Sequence, residues 1–126
     1  MKYLDEVKLI KDKERYNKEG IYAGRKGWIS SCEIRDNTFL VIFSDPRNRD
    51  ETFVWTEENI YTMEEDILLV IDIDDLEFVS DGGASDEAIL SGLPLNNPRW
   101  WCKVENGFIY NLLGEKKNKI AYDYKS

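Results

Sequence analysis

The residues of this sequence able to do chemistry are mostly carboxylates and aromatics, and their spacing decides what each group can do. Asp72, Asp74 and Asp75 in the run DIDD offer oxygen ligands of the kind a calcium loop uses. The glycine and the distal glutamate of a calcium helix-loop-helix are not at the required positions, so the run reads as a solvated strand face. Glu57-Glu58 and Glu64-Glu65 are acidic pairs of the type that cleaves glycosides, yet nothing in their spacing singles out one pair, and they read as surface. Cys102 needs a depressed pKa to act as a nucleophile. Arg99 and Lys103 are nearby cations, but no orienting group is evident, and the structural reading of the thiol is favoured. Gly82-Gly83 lacks the lysine and the serine or threonine of a phosphate loop and is expected to be a linker.

No histidine occurs in the 126 residues. The commonest general base, zinc ligand and activator of serine or cysteine is therefore missing, which argues against an enzyme; no catalytic residue, metal or cofactor is expected. Cys32 and Cys102 stand far apart with no CxxC pair, so reduced, partly buried thiols are expected rather than a disulfide or zinc framework.

The net charge of -8 is unevenly spread. Between Asp50 and Pro98 there is no lysine or arginine, while Glu57 to Glu87 holds twelve acids. Such a block repels nucleic-acid phosphate and attracts a basic protein partner at long range; a solvated acidic face with solubility as its only role is the competing reading. No run reaches the roughly 18 apolar residues of a membrane helix, and acids interrupt the N-terminal stretch. A cytoplasmic protein that binds neither membrane nor nucleic acid is expected.

The elements that must position these residues are mostly strands. EVKLIKD alternates apolar and charged residues, KERYNKEG reads as a polar loop, and Gly24 and Gly27 bracket a turn ahead of Trp28-Ile29. TFLVIFSD (38–45) is rich in β-branched and aromatic residues, and TFVWT (52–56) alternates like a further strand. EENIYTMEED is a connection with room for one helical turn. ILLVIDIDDLEFV (67–79) reads as a strand, with a short turn and a closing strand in its last part.

After the break at Asp81-Gly82-Gly83, Ser85 caps a short helix that Gly92 and Pro94 end. WWCKV-ENG-FIYNL is a hairpin signal, because Asn-Gly supplies the positive φ angles of a tight turn. Ile120, Tyr122 and Tyr124 alternate as an edge strand would. The expected fold is mainly β: a small barrel of about five strands over 1–80, with a short helix and a C-terminal β-hairpin over 81–126 packed on it as one domain.

The stretch VKLIKDKERYNKEGIYAGRKGWI, followed by NTFLVIFSD, resembles the N-terminal part of a group of small proteins of low-GC Gram-positive bacteria. Their pattern is a strand, a KEG loop, G-x-x-G-W-I and T-x-L-V-x-F. The glycine turn before Trp28 is also similar to the diverging turn of Src-homology-3 or KOW-type barrels. The resemblance covers about 5–80 and falls on Gly20, Gly24, Gly27, Trp28, Leu40, Val41 and Phe43, so it implies a Src-homology-3-like barrel and not an activity. Size and acidity also resemble those of immunity proteins that neutralise bacterial toxins. KOW barrels that bind RNA offer a basic face, which the acidic middle of this chain departs from.

Aromatic side chains near the loops of small barrels grip extended peptides, and tryptophan, tyrosine and arginine carry interface energy. Core packing is the first reading for Trp28 and Trp55. On a strand Trp100 and Trp101 point to opposite faces, so one of them is a seam residue between barrel and hairpin or a surface anchor. The partner-binding candidates are Tyr22, Trp55, Arg99 and Trp100, with Glu57, Glu58, Glu64 and Glu65 around them. A basic toxin is the expected partner; an accessory module, or a homodimer built on the edge strands of the C-terminal hairpin, is the alternative.

Overall fold

The computed structural model describes residues 1–91, 102–111 and 116–120. Five antiparallel strands form one sheet: β1 (Glu6–Leu9), β2 (Lys26–Ile29), β3 (Thr38–Phe43), β4 (Ile67–Asp72) and β5 (Leu76–Ser80), in the order β4-β3-β2-β1-β5. β4 and β5 follow each other in sequence, with only the single 3-10 turn Ile73–Asp75 between them, yet they lie at opposite ends of that order. So short a connection forces the sheet to curl. The result is mainly β and barrel-like, with a sheet that is not closed.

Alternation dictates which face is core. β3 buries Phe39, Val41 and Phe43 and turns Thr38, Leu40 and Ile42 outward; β1 buries Val7 and Leu9. Ile21, Ile29, Ile71, Leu76 and Tyr16 complete this core. Gly27 is not part of the expected turn. It sits inside β2, where a Cβ would come within 2.7 Å of the Ile42 carbonyl oxygen and 2.8 Å of Val41 Cγ1. The turn lies two residues earlier, where the Arg25 amide donates to the Tyr22 carbonyl at 3.1 Å and Gly24 takes φ 99°.

The expected polar loop after β1 contains a short helix, α1 (Glu14–Asn17), whose Tyr16 is fully buried. One tyrosine among six polar residues and a glycine offered no periodicity to signal it. The expected strand at 52–56 is absent as well. The Asp50 carboxylate accepts from both the backbone N–H and the hydroxyl of Thr52, Asn59 donates to the Val54 carbonyl, and Asn59 accepts from the Thr56 N–H. Side chains thus take backbone groups that a ladder would need. The sheet keeps five strands because the 67–80 run supplies two.

α2 (Asp86–Ser91) begins where Ser85 Oγ accepts from the Ala88 N–H at 3.2 Å. β6 (Cys102–Glu105), β7 (Phe108–Asn111) and β8 (Lys116–Lys119) form a second sheet in that order. The β6–β7 turn is Asn106-Gly107 with φ of 50° and 81°, the positive angles the sequence called for. Ile120 meets Cys32 and Ile89 in a smaller apolar cluster and forms an isolated bridge with Glu33, and the Ile34 N–H donates to the Lys119 carbonyl at 2.7 Å. Tyr122 and Tyr124, the rest of the expected edge strand, lie outside the described residues.

The Gly82-Gly83 linker is a packed joint. The Gly82 N–H donates to the fully buried Asp5 carboxylate at 2.9 Å, and a Cβ on Gly82 would stand 2.2 Å from the Leu4 carbonyl oxygen. Lys2 closes the same carboxylate through its backbone N–H at 3.0 Å and its ammonium at 2.9 Å.

Candidate functional site

The 44–66 connection carries most of the candidate residues, and it is held together from inside. At its neck the buried carboxylate of Asp45 accepts from Arg47 Nη2 at 2.7 Å, from the Arg47 N–H at 3.0 Å and from the Glu64 N–H at 3.0 Å. One carboxylate therefore joins the two ends of the segment. These donors, Arg47 first, hold Asp45 far below the ordinary carboxylate range.

Arg47 is the centre of the loop. Its guanidinium reaches the hydroxyl and carbonyl oxygens of Thr62 at 3.0 and 2.8 Å, and lies 5.4 Å from the Phe53 ring centroid and 4.7 Å from that of Trp55. Phe53 and Trp55 meet edge to face at 4.8 Å, and the Trp55 indole N–H donates to Asn48 at 2.8 Å. Trp55 is thus a half-buried brace of the loop, neither sheet core nor bare surface anchor. Trp28 is likewise half-buried: it points to the outer face of β2 with the Arg49 guanidinium 3.3 Å from its ring centroid. Both tryptophans leave the core because inward strand positions are taken by smaller aliphatics and phenylalanine, while arginine stacking shields the outward indoles.

This bracing leaves apolar side chains in solvent. Val54 is 70% exposed and Tyr61 80%, and Ile60 and Met63 are exposed too. Glu57, Glu58 and Glu65 are exposed and make no ion pair with a described residue, whereas Glu64 meets Arg25 at 3.5 Å. Just beyond the loop, Leu68 and Val70 stand exposed on β4, an edge strand. Tyr22, also exposed, belongs to the turn before β2; three residues on, Arg25 donates to the Ser44 carbonyl at 2.9 Å and so ties that turn to the loop. Arg99 and Trp100 lie outside the described residues.

Missed at the sequence level were Asp45, Arg47 and Val54. The signal for the first two was DPR, an aspartate before proline with a donor two residues on, the pattern of a local side-chain turn. Val54 was hidden by the apparent strand.

A second polar cluster sits at the other end of β4. Lys13 Nζ bridges Asp72 Oδ2 at 2.8 Å and Asp75 Oδ2 at 2.6 Å, and Arg15 adds a bond to Asp72 at 2.7 Å. The Lys13 bond, helped by Arg15, lowers the pKa of Asp72. Burial pushes Asp75 up, but Lys13 and the Tyr16 hydroxyl outweigh it and leave it lowered. Carboxylates held ionised in this way are poor general acids at neutral pH. Their geometry fits a clasp between α1 and the β4-β5 junction. Cys32 is buried and free, and burial with Glu33 alongside raises its pKa, the opposite of an activated thiol. Among the described residues no group of acids, cysteines or histidines is arranged to hold a metal, and no helix is long and apolar enough to cross a membrane.

No family model matches this chain, and neither a curated protein nor a solved structure matches it significantly.

Proposed function

We propose that this protein is a non-catalytic binding protein that occludes a basic protein partner, as an immunity protein occludes a toxin, and that the 44–66 loop is its contact surface. The observation that carries the reading is the loop closed on Asp45 and Arg47, which holds Val54 and Tyr61 in solvent on the segment that bears Glu57, Glu58, Glu64 and Glu65. Ordering a contact loop before binding removes part of the entropy cost of association. Exposed apolar side chains supply buried area, and the carboxylates speed encounter with a cation-rich surface. The strand order with a 3-10 turn between its last two strands supports the Src-homology-3-like reading of the sheet.

The test is capture from host lysate at low and moderate salt, using the wild-type chain and a Glu57→Gln, Glu58→Gln, Glu64→Gln, Glu65→Gln variant. A basic protein retained by the wild type, released by salt and lost from the variant supports the reading. Equal retention by the variant removes it.

A second reading, self-association, is favoured by the edge of β4. There Arg15 caps the Val70 carbonyl at 3.1 Å and the Tyr16 hydroxyl accepts the Asp72 N–H at 3.1 Å, while exposed Leu68 lies upstream of both caps. Unprotected edges pair with other chains. Sedimentation of the wild type against Leu68→Lys decides it: a dimer that the substitution dissolves supports self-association through this edge.

A further inference from the structure

Two arginines and a lysine converge where β1 and the turn before β2 meet the start of the 44–66 loop. Arg25, Lys26 and Arg49, with Glu6, Ser44 and Asp50, line a cavity of about 440 Å³. That volume lies within the usual range for small-molecule sites. Glu6 accepts from Arg49 Nη1, and Arg25 Nη2 is taken by the Ser44 carbonyl, with Glu64 at 3.5 Å. The Asp50 carboxylate is turned to Thr52, at 2.6 Å from its hydroxyl and 2.9 Å from its N–H. Two buried donors are left without an acceptor among the described residues, Arg25 Nε and Arg49 Nη2.

A buried N–H of a charged group without a partner is unfavourable, and guanidinium groups match oxyanions better than any neutral acceptor. Burial lowers the pKa of Arg49, against the attraction of Glu6 and with a lesser contribution from the nearby Arg25 charge, and an oxyanion placed here favours the charged guanidinium. Beside this cavity lies a second groove of about 480 Å³, lined by Trp28, Ile42, Leu4 and Tyr3 among others. Ser44 lines both, and Trp28 under the Arg49 guanidinium stands between them.

We propose that the Arg25, Lys26 and Arg49 cavity binds the oxyanion group of a small organic anion, whose apolar part lies against Trp28 and Ile42. The shared chemistry is an oxyanion joined to an apolar body; its source is a phosphate monoester or a carboxylate. The assignment does not depend on the protein-partner reading, which rests on acids and apolar side chains of the loop; Glu64, bonded to Arg25, is the one acid that touches both.

Calorimetric titration of the full chain with phenyl phosphate, benzoate and inorganic phosphate tests it, and amide NMR shifts at Gly24 and Lys26 locate the binding. Saturable binding of phenyl phosphate or benzoate, tighter than that of inorganic phosphate, is expected, and the tighter of the two identifies the source. Arg25→Gln weakens it by about tenfold or more, the effect of one charge-assisted hydrogen bond. Lys26→Gln, on an exposed side chain that leaves the fold unaltered, also weakens it and keeps the test valid if the arginine variant is unstable. Glu57→Gln leaves it unchanged. Absence of saturable binding by both organic anions overturns the site. So does affinity unchanged in Lys26→Gln and Arg25→Gln, and inorganic phosphate binding as tightly as phenyl phosphate overturns the apolar half of the assignment.

Discussion

The hydroxyl of Tyr16 donates to the carboxylate of Asp75 at 2.8 Å, joining residues 59 positions apart, and the same oxygen accepts the Asp72 N–H at 3.1 Å. Through this atom and the Arg15 guanidinium a four-residue helix holds β4 and the start of β5 where the sheet remains open. Tyr16→Phe keeps the ring and removes the oxygen, which leaves the Asp72 N–H without its acceptor and Asp75 Oδ2 with Lys13 alone. A loss of about 1–3 kcal/mol is expected. Urea unfolding with an unchanged m-value measures it, and a loss within error would mean that Lys13 alone makes the clasp.

Stability is expected to fall on both sides of a neutral plateau. Asp45, Asp72 and Asp75 have folded pKa values lowered from the carboxylate value of 3.8, so their contribution is complete above that value and disappears as the pH falls through the folded values. Lys13 is raised from 10.5 by its bonds to Asp72 and Asp75, and Tyr16 is raised from 10.0 chiefly by burial. Their contribution is complete below those values and is lost as the pH rises through the folded ones. Thermal melts from acid to alkaline pH measure both limbs. Asp45→Asn makes the acid limb shallower and leaves the alkaline limb in place; an unchanged acid limb would show that Asp45 is not among its sources.

Gly82→Ala is expected to destabilise the chain by about 1–3 kcal/mol, the usual range for forcing an extra methyl group into packed structure. The new methyl meets the backbone of Leu4, which cannot rotate away. Gly83→Ala makes the contrast: nothing lies within 4 Å, and only the positive φ of 74° opposes the methyl. Denaturant midpoints that rank Gly82→Ala as no worse than Gly83→Ala would contradict the packed-joint account.

Arg47→Lys keeps the charge but loses the fork to Asp45, the two bonds to Thr62 and the guanidinium contacts with the Phe53 and Trp55 rings. Amide exchange across 52–63 is expected to speed up by about tenfold while the β1–β3 amides keep their protection. Capture of a basic partner weakens in parallel, because the exposed Val54 and Tyr61 are no longer held in place. Faster exchange with undiminished capture would separate the bracing from recognition.

The sequence by itself determined what depends on neighbours along the chain. The density of β-branched and aromatic residues in TFLVIF specified β3, Asn106-Gly107 specified a tight turn, and Ser85 specified the start of α2. The missing histidine and the block of acids without lysine or arginine also follow from composition alone. Tertiary structure decided what depends on partners far away. TFVWT alternates like a strand, but strand formation needs a neighbour with free backbone groups, and Asp50 and Asn59 reach those groups first. Trp28 and Trp55 are apolar enough for a core, yet Arg49 and Arg47 stack on them and keep them at the surface. Tyr16 looked like one residue of a polar loop until Asp75 was brought to its hydroxyl. The candidate contact surface was half legible for the same reason. Its acids are visible as charge, but the exposure of Val54 and Tyr61 follows from Asp45 closing a loop whose two ends are nineteen residues apart.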